Sequence, residues 1–121
     1  MRIKFLGICL IILASTFFFN CQIADEENPI AYGTVDLDGI IYGGSGNFTV
    51  AHTAVGTYEI TINGYTATIN NTSVYATISS GIGAPVAIYW MPVGNGNVMI
   101  LIRGAAGAMI DADFSFTIWK I

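Results

Sequence analysis

The side chains equipped for chemistry are few and dispersed. His52 is the single histidine in 121 residues, and on a strand it would share a face with Phe48 and Val50. A general base or metal ligand needs a second group to orient it, and the chain offers no second histidine and few carboxylates for the task. His52 is therefore expected as a packed or rim residue. Asp36-x-Asp38 and Asp111-x-Asp113 each put two carboxylates at strand spacing on one face, a pattern able to hold a hard cation such as calcium. Acidic residues beside turns more often accept local hydrogen bonds, so no metal and no cofactor is assigned. Ser45, Ser73, Ser79, Ser80 and Ser115 lie outside any nucleophile-elbow pattern, and Gly43-Gly44-Ser45-Gly46 lacks the strand–turn–helix context of a phosphate loop. No residue is assigned a catalytic role. Trp90, Trp119, Tyr75 and Tyr89 remain: aromatic faces that stack on sugars or partner side chains, or that pack a core or an interface, which is the expected use.

The elements that must position these groups read as strands. Phe48 to Thr53 alternates apolar and polar positions, Ala54-Val55-Gly56 turns the chain, and Thr57 to Ile62 sets Tyr58, Ile60 and Ile62 against Thr57, Glu59 and Thr61. This predicts a β-hairpin, which needs other strands to cover its apolar face. Asn63-Gly64 is a type I′ turn signal, after which Tyr65 to Ile69 is expected to pair back. Ile30 to Leu37 predicts a first strand, at an edge, closed by Asp38-Gly39. Val74 to Ser79, Val86 to Met91, Val98 to Arg103 and Asp113 to Ile121 predict further strands, the last with Phe114, Phe116 and Ile118 inward. A composition rich in Gly, Thr, Ile, Val and aromatics fits an all-β fold. The expected architecture is one antiparallel β-sandwich or jelly-roll-like domain of about eight short strands over residues 30–121.

The run GSGNFTVAHTAVGTYEITI resembles the Gly-x-Gly-x-Phe-x-Val, then Gly-x-Tyr-x-Ile, pattern of small β-domains at the C-termini of phage tail fibres and bacterial surface proteins. Ala31-Tyr32-Gly33-Thr34-Val35 with Asp38-Gly39, and Asp111-Ala112-Asp113-Phe114-Ser115-Phe116, extend the likeness over roughly residues 30–121. These motifs are built of turns and inward aromatics. The resemblance implies a β-domain used for adhesion or recognition, and no catalytic residue comes with it.

Ahead of this domain, Arg2 and Lys4 precede the apolar run Phe5 to Phe19, the layout of a secretory signal peptide. The run falls short of the ~20 apolar residues that a membrane-spanning helix needs; an uncleaved anchor is the alternative. Phe18-Phe19-Asn20-Cys21 resembles the lipobox of bacterial lipoproteins, with Phe18 and Asn20 standing where Leu and a small residue are usual. Lipidation of Cys21 is the expectation, and a free cysteine the alternative. Gln22 to Glu27 resembles the acidic surface-export tether of Bacteroidetes-type lipoproteins; a solvated linker is the plain reading. The division is thus residues 1–20 as signal peptide, 21–29 as lipidated cysteine and tether, and 30–121 as the domain. It places the protein on the outer membrane or cell surface, anchored through lipid, or else secreted.

Cys9 lies in the leader, so Cys21 has no disulfide partner in the mature chain. That chain carries Arg103 and Lys120 against eight carboxylates, a formal charge of −6, which repels nucleic acid. Val86 to Met91 and Val98 to Arg103 are apolar on both faces, and a small domain has few layers to bury them. Tyr89, Met91, Met99, Leu101, Trp119 and Ile121 are the candidates for an outward ligand or interface surface. Two partner classes follow: a second and third copy of the chain in a homotrimer, as in fibre tips, and a glycan or protein ligand.

Overall fold

The computed structural model describes residues 2–5, 24–81 and 84–121. Those residues form ten strands and no helix: β1 (Arg2–Phe5), β2 (Ala24–Glu27), β3 (Ala31–Val35), β4 (Ile41–Gly44), β5 (Phe48–Ala54), β6 (Thr57–Ile62), β7 (Thr72–Gly81), β8 (Pro85–Pro92), β9 (Val98–Gly104) and β10 (Ala112–Lys120). β1 and β2 pair as a two-stranded antiparallel ribbon. The other eight make two antiparallel four-stranded sheets, β4-β3-β10-β7 (sheet I) and β5-β6-β9-β8 (sheet II). This is the expected all-β sandwich.

Alternation decides which side chains meet between the sheets. In β6 the inward Tyr58, Ile60 and Ile62 are buried, and in β10 Phe114, Phe116 and Ile118 are. Phe48 of β5 meets Phe116 edge-on, with ring centroids 5.0 Å apart, and Tyr58 tilts against Phe114 at 4.9 Å, so aromatic contacts join sheet II to sheet I. Val98, Ile100 and Ile102 of β9 complete the layer from the centre of sheet II. Each such side chain contributes about 1.5–3 kcal/mol when fully buried. Gly33 belongs to this packing: a Cβ there would lie 2.5 Å from the Phe48 ring, so the close approach of β3 to β5 requires glycine.

Two expectations change. Residues 65–69 form a loop, because β6 has already spent its two hydrogen-bonding edges on β5 and β9. Tyr65 instead anchors that loop through its hydroxyl, bonded to Thr72 Oγ1 at 2.8 Å and to the Asn71 carbonyl at 2.9 Å. The first domain strand is interior, since β3 lies between β4 and β10. In β9, Val98, Ile100 and Ile102 are enclosed, whereas Met99 and Leu101 on the other face are half-exposed.

Candidate functional site

The outer face of sheet I carries an ordered array of side chains. Antiparallel register places Tyr32 of β3, Thr117 of β10 and Tyr75 of β7 opposite one another in one row. Their parity is opposite to that of Ala31, Phe116 and Val74, so they project away from the core. Tyr32 is 48% exposed and Tyr75 66%. One row along, Thr34, Ser115 and Thr77 are in register, with Thr34 Oγ1 2.9 Å from Ser115 Oγ and Ser79 Oγ 3.2 Å from it. In the row on the other side, Trp119 stands opposite Ser73. A hydroxyl row, a tyrosine row and a tryptophan thus follow one another along β10.

This face is shaped as two shallow depressions that meet at Thr117. One, of about 630 Å³, is lined by Ser73, Tyr75, Thr117, Trp119, Lys120 and Ile121. The other, of about 350 Å³, lies among Tyr32, Thr34, Gly43, Gly44, Ser115 and Thr117. The Tyr32 end is held by a clasp from the β4–β5 connection. The Tyr32 amide donates to Ser45 Oγ at 3.0 Å, the Ser45 amide donates to the Tyr32 carbonyl at 2.8 Å, and Asn47 Nδ2 donates to the Ile30 carbonyl at 2.7 Å. Gly44 permits the approach: at φ 148° its α-carbon lies against the Tyr32 carbonyl, where a side chain would collide.

The outer face of sheet II is different in kind. Register pairs Tyr89 with Leu101 and Met91 with Met99, giving one contiguous apolar patch on β8 and β9. Tyr89 is 38% exposed and Met91 46%. Arg103 Nε donates to the Tyr89 hydroxyl at 2.9 Å at one end. At the other, Glu59 accepts from Asn95 at 2.8 Å and Asn97 at 2.7 Å, and these amides hold its carboxyl below the ordinary value. Of the six residues expected to face outward together, Tyr89, Met91, Met99 and Leu101 share this surface, whereas Trp119 and Ile121 line the depression of sheet I on the opposite face of the sandwich. The four aromatics are divided likewise. Trp119 and Tyr75 share sheet I, Tyr89 faces out from sheet II, and Trp90 packs against the core.

His52 does find a partner. Its Nε2 lies 2.8 Å from Asp111 Oδ1, which also accepts from the Gly56 amide at 2.7 Å and from the Tyr58 hydroxyl at 3.4 Å. The imidazole stacks on the Tyr58 ring, centroids 4.6 Å apart and planes 8° from parallel. Burial alone would push the Asp111 carboxyl up, but the Gly56 amide, His52 and Tyr58 outweigh it and leave the group below its ordinary value. Desolvation pushes the Tyr58 hydroxyl well above its ordinary value, and Asp111 adds to the rise. The oxygen that orients His52 also fixes the β5–β6 turn, so the arrangement acts as a clasp.

Asp36 and Asp113 are spent on similar duties. Asp36 Oδ1 accepts from the Asp38 and Ile40 amides at 2.9 and 2.8 Å. Asp113 accepts from the Leu37 amide at 2.8 Å and from Ser80 Oγ at 2.7 Å. Among the described residues no group of three His, Cys, Asp or Glu side chains is placed to hold a metal ion. Cys21 and residues 6–20 of the expected leader lie outside the described residues. Tyr32 is the residue that sequence reasoning missed. Its outward parity was readable, but its alignment with Tyr75 comes from β10 lying between β3 and β7. Comparison of the chain with protein-family models, with curated proteins and with solved structures gives no match to any of them.

Proposed function

We propose that this chain is an exported surface lipoprotein whose β-sandwich serves as a binding or adhesion module, held to the membrane through Cys21. The observation that carries the recognition half is the outer face of sheet I, where Tyr32 and Tyr75 stand exposed and Trp119 half-buried among hydroxyl side chains over two connected depressions. Support for the address comes from the sequence: a basic start, an apolar run, a cysteine and an acidic tether. The likeness to tail-fibre and surface-protein domains points the same way. The reading is non-enzymatic, since the His52–Asp111 pair is committed to the β5–β6 turn.

Fractionation of cells expressing the full chain, followed by protease treatment of intact cells, tests this reading. The wild-type protein is expected in the membrane fraction and open to external protease, and Cys21→Ser is expected in the soluble fraction. Retention of Cys21→Ser in the membrane would refute the lipid anchor, and protection of the wild type from external protease would refute surface display.

A second reading, a structural subunit of an envelope or fibre-like assembly, is favoured by the Tyr89, Met91, Met99 and Leu101 patch, which suits contact with another copy. Light scattering across a concentration series separates the two. A stable trimer that Leu101→Lys dissolves supports assembly, and a monomer at every concentration removes it.

A further inference from the structure

The geometry points to a neutral oligosaccharide as the ligand of sheet I, lying across β3, β10 and β7; this rests on the recognition reading above and names its ligand class. Four observations lead to it. First, Tyr32 and Tyr75 flank Thr117 in one cross-strand row. Strand spacing puts the two positions about 10 Å apart, each one strand from β10, so two rings can meet alternate sugars of one extended chain. Trp119 lies a row away, about 7 Å along β10, and opens onto the same trough.

Second, the spaces between the rings are filled by hydroxyls. Thr117 and Ser73 lie within the aromatic half, and Thr34, Ser115, Thr77 and Ser79 form the adjoining half. Hydroxyls that both donate and accept suit a ligand made of hydroxyls, whose C–H faces stack on aromatic rings. A protein-binding face has another composition, and sheet II displays it where Tyr89, Met91, Met99 and Leu101 form one contiguous, largely apolar patch.

Third, the charge is wrong for a polyanion. Lys120 is the one charged side chain lining either depression, and residues 30–121 carry five carboxylates against two cations. Aromatic sheet faces also bind single-stranded nucleic acid, but with a basic groove to track the phosphates, and none is present here. Fourth, the trough is open, and its floor at Gly43 has free space above it, so a chain can pass through and extend beyond.

The test uses the full-length protein in affinity electrophoresis through gels containing one of five neutral polysaccharides: soluble β-1,4-glucan, β-1,3-glucan, α-1,4-glucan, xylan or galactomannan. Retardation in at least one gel is expected. The matching hexasaccharide is then titrated by calorimetry. Tyr75→Ala and Trp119→Ala are each expected to weaken binding tenfold or more, Tyr32→Ala several-fold, and Tyr89→Ala, on the other sheet, not at all. All four side chains project from the surface, so unchanged melting curves are expected to show intact folding.

Passage through all five gels without retardation overturns the inference, as does a binding constant indifferent to Tyr75→Ala and Trp119→Ala. To separate this failure from that of the recognition reading, the protein is applied to cell-surface extracts before and after protease treatment. Capture that protease abolishes and Tyr75→Ala weakens would overturn the sugar ligand and leave a protein-binding module. Absence of capture from every extract and gel would overturn both.

Discussion

Replacing Asp111 by alanine isolates the clasp at the β5–β6 turn. One carboxylate oxygen accepts from the Gly56 amide at 2.7 Å and from His52 at 2.8 Å. Gly56 is buried, so its amide loses its partner without gaining water, and an unmet buried donor costs about 1–3 kcal/mol. The His52 contact is part-exposed, and water replaces much of it, leaving about 0.5–1 kcal/mol. The sum is about 1.5–4 kcal/mol, and its middle, about 2–3 kcal/mol, corresponds for a domain of this size to a fall in Tm of about 10–20 °C. The carboxyl is held below its ordinary value by these bonds. Its stabilisation is therefore complete above the unfolded-state carboxylate range, near pH 4, and is lost as pH falls through the lower folded value. Thermal melts of wild type and Asp111→Ala at neutral pH and at about pH 2 are the assay. A gap of 10–20 °C at neutral pH that narrows in acid is expected. A gap under about 3 °C at neutral pH, or one undiminished in acid, would refute the reasoning.

The core and the turns make further predictions. Phe114→Ala empties a fully buried site between Tyr58 and the rest of the core, and a loss of about 3–5 kcal/mol is expected in the denaturant midpoint. Gly56→Ala puts a side chain at φ 65°, with its Cβ 2.6 Å from the Ile102 carbonyl and 2.7 Å from that of Ile110; the backbone strain alone costs about 1–3 kcal/mol, and calorimetry is expected to show at least that loss. Tyr58 donates to the Leu37 carbonyl at 2.7 Å, and its hydroxyl titrates above the ordinary 10.0. Its contribution is present below pH 10 and is lost as pH rises beyond. Tyr58→Phe is expected to cost about 1 kcal/mol at neutral pH and to lose less than the wild type does in alkaline melts.

How much of this was legible in the sequence differs by element. The β5–β6 hairpin, β9 and β10 were readable nearly to the residue, because an alternation of Tyr58, Ile60 and Ile62 or of Phe114, Phe116 and Ile118 records the side facing the core. The run from Tyr65 to Ile69 carries a similar alternation and is a loop. Periodicity describes a strand's faces, but it is silent about whether a neighbouring edge is free, and β6 had none left. The candidate site suffered from the same gap. Tyr75 and Trp119 stood out as aromatics, but Tyr32 joined them through pairing between residues 85 positions apart in the chain, Tyr32 and Thr117. The Asp111 partner of His52 lies 59 residues away and was equally invisible to spacing.

The place of β10 in the fold governs when the molecule can form. It lies between β3 and β7 and supplies both with partners along most of their length, yet it follows the other nine described strands in chain order. Sheet I is left without this interior member until Ala112–Lys120 are available. A chain emerging from a ribosome can assemble the β5–β6 hairpin early but must wait for β10 to close the sandwich. Non-local closure of this kind is slow, on the scale of milliseconds to seconds. That delay leaves the sandwich open during synthesis, and it makes the docking of β10 the step that commits the domain to its folded state.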